Sequence, residues 1–286
     1  MSSKNKFRIA FLLFLVVIAS LVWREILLLN NKEGLKVVFF DIGQGDSIFI
    51  ETKRGVQVLI DGGPNNNLLL REIGKQVSFF DKEIDVVIST HPDADHIGGL
   101  VPFFDKFDAN FYLESGNKSD SLIYASLEEA LSNEGVTRLL ARQGTIIDLG
   151  DGVYIEILFP DREASGLEPN MASIIVKVSY GDTSFLLTGD SPIAIENYIS
   201  TLYGNSLKSD VLKLGHHGSK TSTSNMFLGL VSPSYAVVSA GEGNRYGHPH
   251  QEIISKVKKF EVEIFETSKN GSIVFYSDGT KVSTKK

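Results

Sequence analysis

The sequence predicts an α/β domain built on large mixed sheets. Strand and helix patterns are mixed between residues 35 and 280, and no low-complexity linker or short-period repeat divides them. Of the 286 residues, 42% are hydrophobic and 22% are charged, so the chain has enough apolar mass for a sizeable core. The chain contains no Cys, which excludes disulfides, thiolate metal sites and Cys nucleophiles. Any metal ion must therefore be held by nitrogen and oxygen atoms.

Short runs rich in Val, Ile and Phe open the domain. They predict strands at residues 35–42, 47–52 and 56–61, separated by turns that contain Gly. The continuous apolar run at 84–90 is typical of a strand in a sheet that is buried on both faces. The other expected elements are helices at 67–79, 97–107 and 121–133, a strand at 110–114, short strands within 136–159, a hairpin of 173–179 and 183–188, a helix at 193–202, strands at 211–214 and 234–239, a helix at 251–259 and a strand at 273–276.

The first 32 residues resemble a secretory or membrane-targeting segment. Lys4, Lys6 and Arg8 precede 15 residues without a charge. We predict that residues 1–32 form an uncleaved signal anchor, an apolar helix that spans the membrane once; a cleaved signal peptide and a buried helix are the alternatives. Residues 33–286 would then form one domain outside the cytoplasm, because positive charge before the segment keeps the N-terminus inside. Cleavage of the signal would make the protein secreted.

All six histidines fall within three short motifs. Four residues of metal-ligand type, His91, Asp93, Asp95 and His96, follow directly after the predicted strand at 84–90. Side chains that are bunched on one loop at a strand end can converge on a single ion. A solvated turn with one N-capping Asp is the simpler interpretation, but it accounts for one carboxylate and leaves the other three groups unexplained. The first motif therefore predicts a metal site.

Two further strand ends carry candidate metal ligands. Asp190 ends an apolar strand and precedes a predicted helix, so it serves as a helix cap, as a ligand or as both. His216 and His217 follow the strand at 211–214. Because adjacent side chains normally point apart, we expect one of the two histidines to bind the metal and the other to support a ligand or contact the substrate.

The third histidine motif has the chemistry of an anion site. Arg245 is suited to bind a phosphate through two parallel hydrogen bonds, and His248 stands three residues further on. His250 is expected to have a structural role at the start of the next helix. The predicted substrate-binding residues are Ser219, Lys220, Arg245, Tyr246 and His248.

These motifs resemble the metallo-β-lactamase fold superfamily, and more closely the soluble hydrolase domain of ComEC-family competence proteins. The run His-Pro-Asp-Ala-Asp-His-Ile-Gly-Gly at 91–99 is similar to the signature loop of the superfamily. Five further segments match the ComEC family in order, and the resemblance covers about residues 35–276. They are Asp-Ile-Gly-Gln-Gly-Asp-Ser at 41–47, Leu-Ile-Asp-Gly-Gly at 59–63, Leu-Thr-Gly-Asp at 187–190, His-His-Gly-Ser-Lys-Thr at 216–221 and Arg-Tyr-Gly-His-Pro-His at 245–250.

The resemblance implies a fold, a reaction type and a set of metal ligands. The fold is a four-layer αβ/βα sandwich with the metal site at one edge, between the two sheets. The reaction is hydrolysis, with a metal-bound water or hydroxide as the nucleophile. The implied ligands of one metal are Asp95, His96, Asp190 and one of His216 and His217, and those of a second metal include His91 and Asp190.

The sequence departs from the wider superfamily at two places, and the ComEC family shares both. Asp93 stands where most members have a second histidine, and the region near Asn170 lacks another histidine ligand. Oxygen-rich ligation favours harder ions such as Mn²⁺, with Zn²⁺ as the alternative. We therefore expect one well-held divalent ion and a weaker second one.

The leading hypothesis is a metal-dependent phosphodiesterase or nuclease that faces the outside of the membrane. Asp95, His96 and Asp190 would orient and activate the water. The phosphate would be steadied, or the leaving oxygen protonated, by Arg245, His248 and either Ser219 or Lys220. The substrate would be a phosphodiester such as DNA or another nucleic acid, although a net charge of −7 gives no broad basic surface. Two alternatives stay open: a hydrolase of lactone, β-lactam or thioester bonds, and a non-catalytic surface binding module on the same fold.

Overall fold

Two β-sheets face each other and carry helices on their outer surfaces. A computed structural model describes residues 3–30, 34–78 and 80–284. Their strands are β1 (Leu35–Phe39), β2 (Ile48–Glu51), β3 (Gln57–Ile60), β4 (Glu83–Ser89), β5 (Asp108–Glu114), β6 (Thr137–Leu140), β7 (Ile146–Asp148), β8 (Val153–Phe159), β9 (Ile175–Tyr180), β10 (Thr183–Leu187), β11 (Val211–Lys213), β12 (Tyr235–Val238), β13 (Glu263–Glu266), β14 (Ile273–Ser277) and β15 (Val282–Thr284). Their α-helices are α1 (Ser3–Asn30), α2 (Leu68–Ile73), α3 (Ala94–Ile97), α4 (Leu100–Phe104), α5 (Leu122–Glu134), α6 (Ile193–Tyr203), α7 (Asn225–Val231), α8 (Gln251–Lys259) and α9 (Thr267–Asn270).

Both sheets mix parallel and antiparallel pairs, as the sequence predicts. The first sheet has the strand order β15-β14-β1-β2-β3-β4-β5-β6, and the second has the order β13-β12-β11-β10-β9-β8-β7. Strands β3 to β6 run parallel to one another, and so do β10 to β13. The carboxyl ends of each parallel set therefore lie at one edge of its sheet, and the loops that leave them are collected there.

Alternating side chains produce one core between the sheets and one beneath each layer of helices. In β1, Val37 and Phe39 pack between the sheets, whereas Val38 packs with residues of α2, α4 and α5. In β12, Val237 packs between the sheets and Val238 packs with residues of α6, α7 and α8. The resulting order of helices, sheet, sheet and helices confirms the predicted four-layer sandwich.

Two helices are shorter than the sequence predicts. The helix expected at 97–107 is divided between α3 and α4, because the Gly99 N–H donates to the carbonyl of Gly63 and the His96 carbonyl accepts from the Gly62 N–H. These bonds tie the segment to the loop after β3 rather than to a continuous helix. The helix expected at 67–79 ends at Ile73, and residue 79 lies outside the described residues. The elements α7, α9, β13 and β15 are present without having been predicted.

The helix predicted near the N-terminus is present as α1. Its apolar side chains are exposed where they are described, as at Phe7, Leu12 and Trp23. Among the described residues, none of the helices combines the length and the apolar character needed to cross a bilayer. The predicted boundary between residues 32 and 33 lies outside the described residues. The signal anchor stays a prediction.

Candidate metal centre

Strand ends of both sheets meet at one edge of the sandwich. Asp61 follows β3, His91 follows β4, Asp190 follows β10 and His217 follows β11. The parallel pairing of β3 with β4, and of β10 with β11, places these exits side by side. Asp46 reaches the same place from the loop between β1 and β2. The sequence therefore builds the site from five distant segments.

Four buried side chains form a cluster at this edge. Asp46, His96, Asp190 and His217 each contribute a nitrogen or oxygen atom, and these atoms lie within 4.8 Å of one another. His96 Nε2 is 3.3 Å from Asp190 Oδ1, and His217 Nε2 is 3.4 Å from Asp190 Oδ2. The sequence predicts His96, Asp190 and His217 as candidate ligands, but it does not predict Asp46 as one.

The unpaired atoms of this cluster fit a divalent cation. His96 Nδ1 is held by Asp61 Oδ2 at 2.7 Å, and His217 Nδ1 donates to the carbonyl of Ser239 at 2.9 Å. The Nε2 atoms of both rings are buried without a hydrogen-bond partner among the described residues, and so is Asp190 Oδ1. A buried polar atom without a partner is costly, whereas imidazole nitrogen and carboxylate oxygen are ordinary metal ligands. Rings fixed through Nδ1 with Nε2 left free are typical of metal sites.

Asp61 holds the first histidine motif in place. Its carboxylate accepts hydrogen bonds of 2.7 Å from the N–H and from the hydroxyl of Thr90, in addition to its contact with His96. The backbone of Asp61 is left-handed, with φ 59°, a conformation that residues with a Cβ adopt at an energetic cost. Asp61 stands within one of the family motifs, but the sequence does not predict this role for it. The sequence signal that could have identified Asp61 is its position between a strand and a Gly-Gly turn.

Opposite charges shift several pKa values within the cluster. Burial by itself lowers the pKa of His96, but the carboxylates of Asp190 and Asp61 outweigh burial and raise that pKa well above its ordinary value. Burial also lowers the pKa of His217, which Asp190 and Asp46 likewise raise well above its ordinary value. Burial raises the pKa of Asp190, but the two imidazoles hold it well below its usual range. Protons therefore compete with a metal ion for these rings.

The rest of the first motif lies beside the cluster. The rings of His91 and His96 are 4.1 Å apart between centroids, and His91 Nε2 is 3.6 Å from Asp93 Oδ2. Asp95 Oδ2 is 3.4 Å from His217 Nε2. Burial raises the pKa of Asp95, but His217 and His96 outweigh burial and hold it below its usual range. The side chains of Asp93 and Asp95 are 42% and 32% exposed, so both carboxylates reach solvent.

The two adjacent histidines occupy different positions. His217 is buried, whereas the side chain of His216 is 27% exposed, with Nε2 3.7 Å from Asp190 and Nδ1 3.0 Å from the hydroxyl of Thr221. Both have a left-handed backbone, with φ 49° and 54°, and such strain is concentrated at functional sites. Of the two alternatives that the sequence leaves open, the geometry puts His217 in the cluster and His216 at its edge.

A buried lysine that the sequence analysis misses completes this part of the site. Lys213 ends β11, its side chain is 0% exposed, and its ammonium group contacts Asp46. We call the buried set the floor of the site. The floor consists of Asp46, Asp61, His96, Asp190, Lys213 and His217.

More exposed polar side chains stand on the loops that carry the floor residues or lie next to them, and we call these side chains the rim. The Arg245 guanidinium lies 4.8 Å from the centroid of the Tyr246 ring, which stacks on His248 with centroids 5.7 Å apart. Burial, followed by the neighbouring His216, lowers the pKa of His248 to about 4. His248 is therefore neutral near pH 7 and able to donate or accept a hydrogen bond. The rim consists of Asp93, Lys220, Arg245, Tyr246 and His248.

A cleft of about 430 Å³ adjoins the rim. Arg245 and Tyr246 line it together with Asp95, and Gln44 and Asn65 complete much of its wall. Ser219 lies elsewhere: it is buried, and its hydroxyl accepts a hydrogen bond of 3.1 Å from the hydroxyl of Thr221. The structure therefore brings two of the predicted substrate-binding residues to the cleft, while the hydroxyl of Ser219 is engaged within its own turn.

Comparison with known proteins matches the region that contains the site. The family model described as the metallo-beta-lactamase superfamily matches residues 40–242. ComE operon protein 3 of Bacillus subtilis (strain 168) is 32% identical over 267 residues, which are 86% of this chain and 33% of that protein. Competence protein ComA of Neisseria gonorrhoeae is 31% identical over 239 residues, 84% of this chain and 32% of that protein. The chain thus spans about a third of the length of these curated relatives. These matches confirm the resemblance predicted from the motifs.

Solved structures show the same fold at low sequence identity. The metallo-beta-lactamase fold protein YhfI from Bacillus subtilis is 11% identical and has a TM-score of 0.56. The alignment covers 86% of this chain and 100% of that chain. At this identity the likeness supports the sandwich fold alone.

Proposed function

We propose that this chain, which belongs to the metallo-beta-lactamase superfamily, is a metal-dependent phosphodiesterase. Its family and the fit of the floor to a divalent cation support hydrolysis in general. One observation supports a phosphodiester in particular: Arg245 lines a cleft that reaches Asp95 beside the floor. The planar fork of a guanidinium matches two phosphate oxygens at once, whereas a lactone ring has no anionic group that calls for that match.

The proposed metal is Mn²⁺, with Zn²⁺ as the alternative. His96, Asp190 and His217 would hold it, and Asp95 would approach from the solvent side. Carboxylate oxygens make up a large share of this set, and harder ions prefer oxygen. When bound, the ion would lower the pKa of a water molecule and stabilise negative charge on the phosphate oxygens.

The rim and Asp95 would position the substrate. Because the pKa of Asp95 lies below its usual range, its carboxylate is ionised and a weak base, so we assign it the orientation of the attacking water. Arg245 would bind the non-bridging oxygens of the phosphate. His248, which is neutral near pH 7, would donate a hydrogen bond to the oxygen of the leaving group.

Nucleic acid is the phosphodiester that we favour. One relative is named a competence protein. The net charge of −7 supports contact confined to the rim, where Lys220 and Arg245 are exposed, rather than along a broad basic surface. A location outside the cytoplasm remains part of the proposal, on the basis of the cations that precede the apolar run, and protease accessibility in intact cells tests it.

The reaction is tested with the full-length chain after chelation and reloading with Mn²⁺ or Zn²⁺. The substrates are bis-p-nitrophenyl phosphate, single-stranded DNA, RNA and cyclic dinucleotides, with nitrocefin and an acyl-homoserine lactone for comparison. We expect turnover of phosphodiesters that depends on Mn²⁺ and is lost in His96→Ala. Turnover of nitrocefin or the lactone alone would instead support the first alternative, and metal binding without any turnover would support a non-catalytic module. Either result contradicts the proposal.

A further inference from the structure

Lys213 is a fully buried cation inside a site that is built to hold a cation. Its Nζ contacts Asp46 Oδ2, lies 3.6 Å from Asp190 Oδ1 and donates to the carbonyl of Gly189 at 3.0 Å. Lysine is almost never fully buried unless it is paired. These contacts leave the ammonium group bridging two carboxylates of the floor.

Asp46 faces the wrong side of the histidine rings to be a metal ligand. Its Oδ1 is 3.4 Å from His217 Nδ1, and its Oδ2 is 3.9 Å from His96 Nδ1. Both rings present the opposite nitrogen, Nε2, to Asp190. A metal held by the Nε2 atoms would therefore lie on the side of the rings that faces Asp190, whereas Asp46 lies on the Nδ1 side. The closeness of Asp46 to the other three side chains does not by itself make it a ligand.

The charges of the floor balance with one divalent ion. Asp46, Asp61 and Asp190 supply three negative charges, and Lys213 supplies one positive charge. The imidazoles are neutral when they bind a metal. Two negative charges remain in this buried set, and a single divalent cation neutralises them, whereas two would leave the buried set with excess positive charge. Asp93 and Asp95 are outside this count because their side chains are 42% and 32% exposed, so solvent screens their charges.

We propose that the ammonium group of Lys213 takes the place of a second metal ion by neutralising Asp46 and approaching Asp190, so that the floor binds one divalent ion tightly. Asp46 is then the partner of Lys213 and not a ligand. Lys213 is a positioning residue that sets how many cations the floor accepts. The inference concerns metal binding and is independent of which bond the protein hydrolyses.

The test is a double-mutant cycle on the full-length chain, with Lys213→Met, Asp46→Asn and the double variant. Mn²⁺ binding to chelator-treated protein is measured by titration calorimetry, and the Tm of the metal-free protein by calorimetric scanning. Lys177→Met is the matched control, because Lys177 also lies in the second sheet but its ammonium group donates to the backbone carbonyls of Ser206 and Lys208. It should leave Mn²⁺ affinity unchanged.

Each variant has its own expected result. The wild type should bind one Mn²⁺ tightly. Lys213→Met should bind Mn²⁺ about tenfold more tightly, because a like charge next to the ion is removed, while its metal-free Tm falls because Asp46 loses its partner. Asp46→Asn should bind about tenfold more weakly, because the unpaired ammonium group competes for Asp190. The neutral double variant should return to within a few-fold of wild-type affinity.

Two results would overturn the proposal. Two Mn²⁺ ions bound with equal affinity by the wild type would show that the ammonium group does not replace one. A loss of about 100-fold or more in both Asp46→Asn and the double variant would show that Asp46 is itself a ligand. A lysine with only a structural role would lower Tm and affinity together. If Lys213→Met does not fold, the double variant, which buries no unpaired charge, still separates these outcomes.

Discussion

The floor and the rim lie side by side but are held in opposite ways. In the floor, protein contacts fix His96 through Asp61 and His217 through Ser239, so that each of the two rings keeps only its Nε2 without a hydrogen-bond partner. In the rim, Arg245 contacts Tyr246, which stacks on His248, and the side chains of Arg245 and Tyr246 are exposed to solvent. The difference indicates a division of labour, with metal binding assigned to a preorganised buried set and substrate contact to an adaptable exposed set.

This division predicts which measurement each substitution changes. A floor variant should alter metal affinity and the stability that metal confers, because a ligand that binds only the folded state stabilises it. A rim variant should alter KM while metal content stays the same. A residue that changes both would show that the two sets are coupled.

The largest effect is expected from His96→Ala in the floor. The substitution removes a ligand and leaves Asp61 and Asp190 without their common partner, so Mn²⁺ affinity should fall by more than about 100-fold. Metal analysis after dialysis measures the loss, and the gain in Tm on adding Mn²⁺ should disappear with it. His250→Ala is the control, since His250 lies at the start of α8, outside floor and rim. Wild-type metal content in His96→Ala would contradict the assignment.

The second largest effect is a pH dependence of metal binding. His96 and His217 have pKa values raised above the ordinary 6.5 in the metal-free fold. The stability that their protons contribute is fully present below pH 6.5 and is lost as the pH rises through the raised values. Metal binding must displace these protons, so affinity should rise about tenfold per pH unit for each proton released.

Titration with Mn²⁺ at pH 6, 7 and 8 measures this dependence, in two buffers of different ionisation enthalpy so that released protons are counted. Urea unfolding of the metal-free protein over the same range should give a free energy of unfolding that falls as the pH rises. A free energy that rises with pH above 6.5 would show that the two rings are not protonated in the metal-free floor.

The sequence reveals the parts of this site whose signal is local. His91, Asp93, Asp95 and His96 stand together after an apolar strand, so their density alone predicts a metal site. Lys213 has no such signal, because a lysine at the end of a short apolar strand ordinarily reaches solvent. Its burial depends on β11 lying between β10 and β12 and on Asp46, which approaches from the other sheet.

Whether a strand could be predicted from the sequence likewise depends on how strong its local signal is. The strands β1 to β4 were predicted because each is a dense apolar run. The strand β13 was missed because Glu263 and Glu266 flank only two apolar residues, and its partner β12 lies well away along the chain. Pairing of that kind is decided by tertiary packing rather than by local pattern.

A smaller loss is expected from Asp61→Asn, which changes a partner of a ligand and not a ligand. The amide cannot accept from His96 and Thr90 as two carboxylate oxygens do, so Mn²⁺ affinity should fall by about 10–100-fold. Asp85→Asn is the matched control in the first sheet. The carboxylate of Asp85 accepts a hydrogen bond of 2.7 Å from the N–H of Gln57, at the start of β3 and away from the site. Equal Mn²⁺ affinity in the two variants would show that Asp61 does not support a metal ligand.

The smallest effect is expected in the rim, from Arg245→Ala. Loss of the guanidinium should raise KM for bis-p-nitrophenyl phosphate about tenfold, while metal content stays at the wild-type level. Arg245→Lys keeps the charge but not the planar fork, so it should recover only part of the loss. Arg162→Ala is the control, because Arg162 is also an exposed arginine beside a tyrosine ring, at 5.7 Å from Tyr198. If Arg245→Ala lost its metal as well, floor and rim would act as one unit, and the contrast between them would fail.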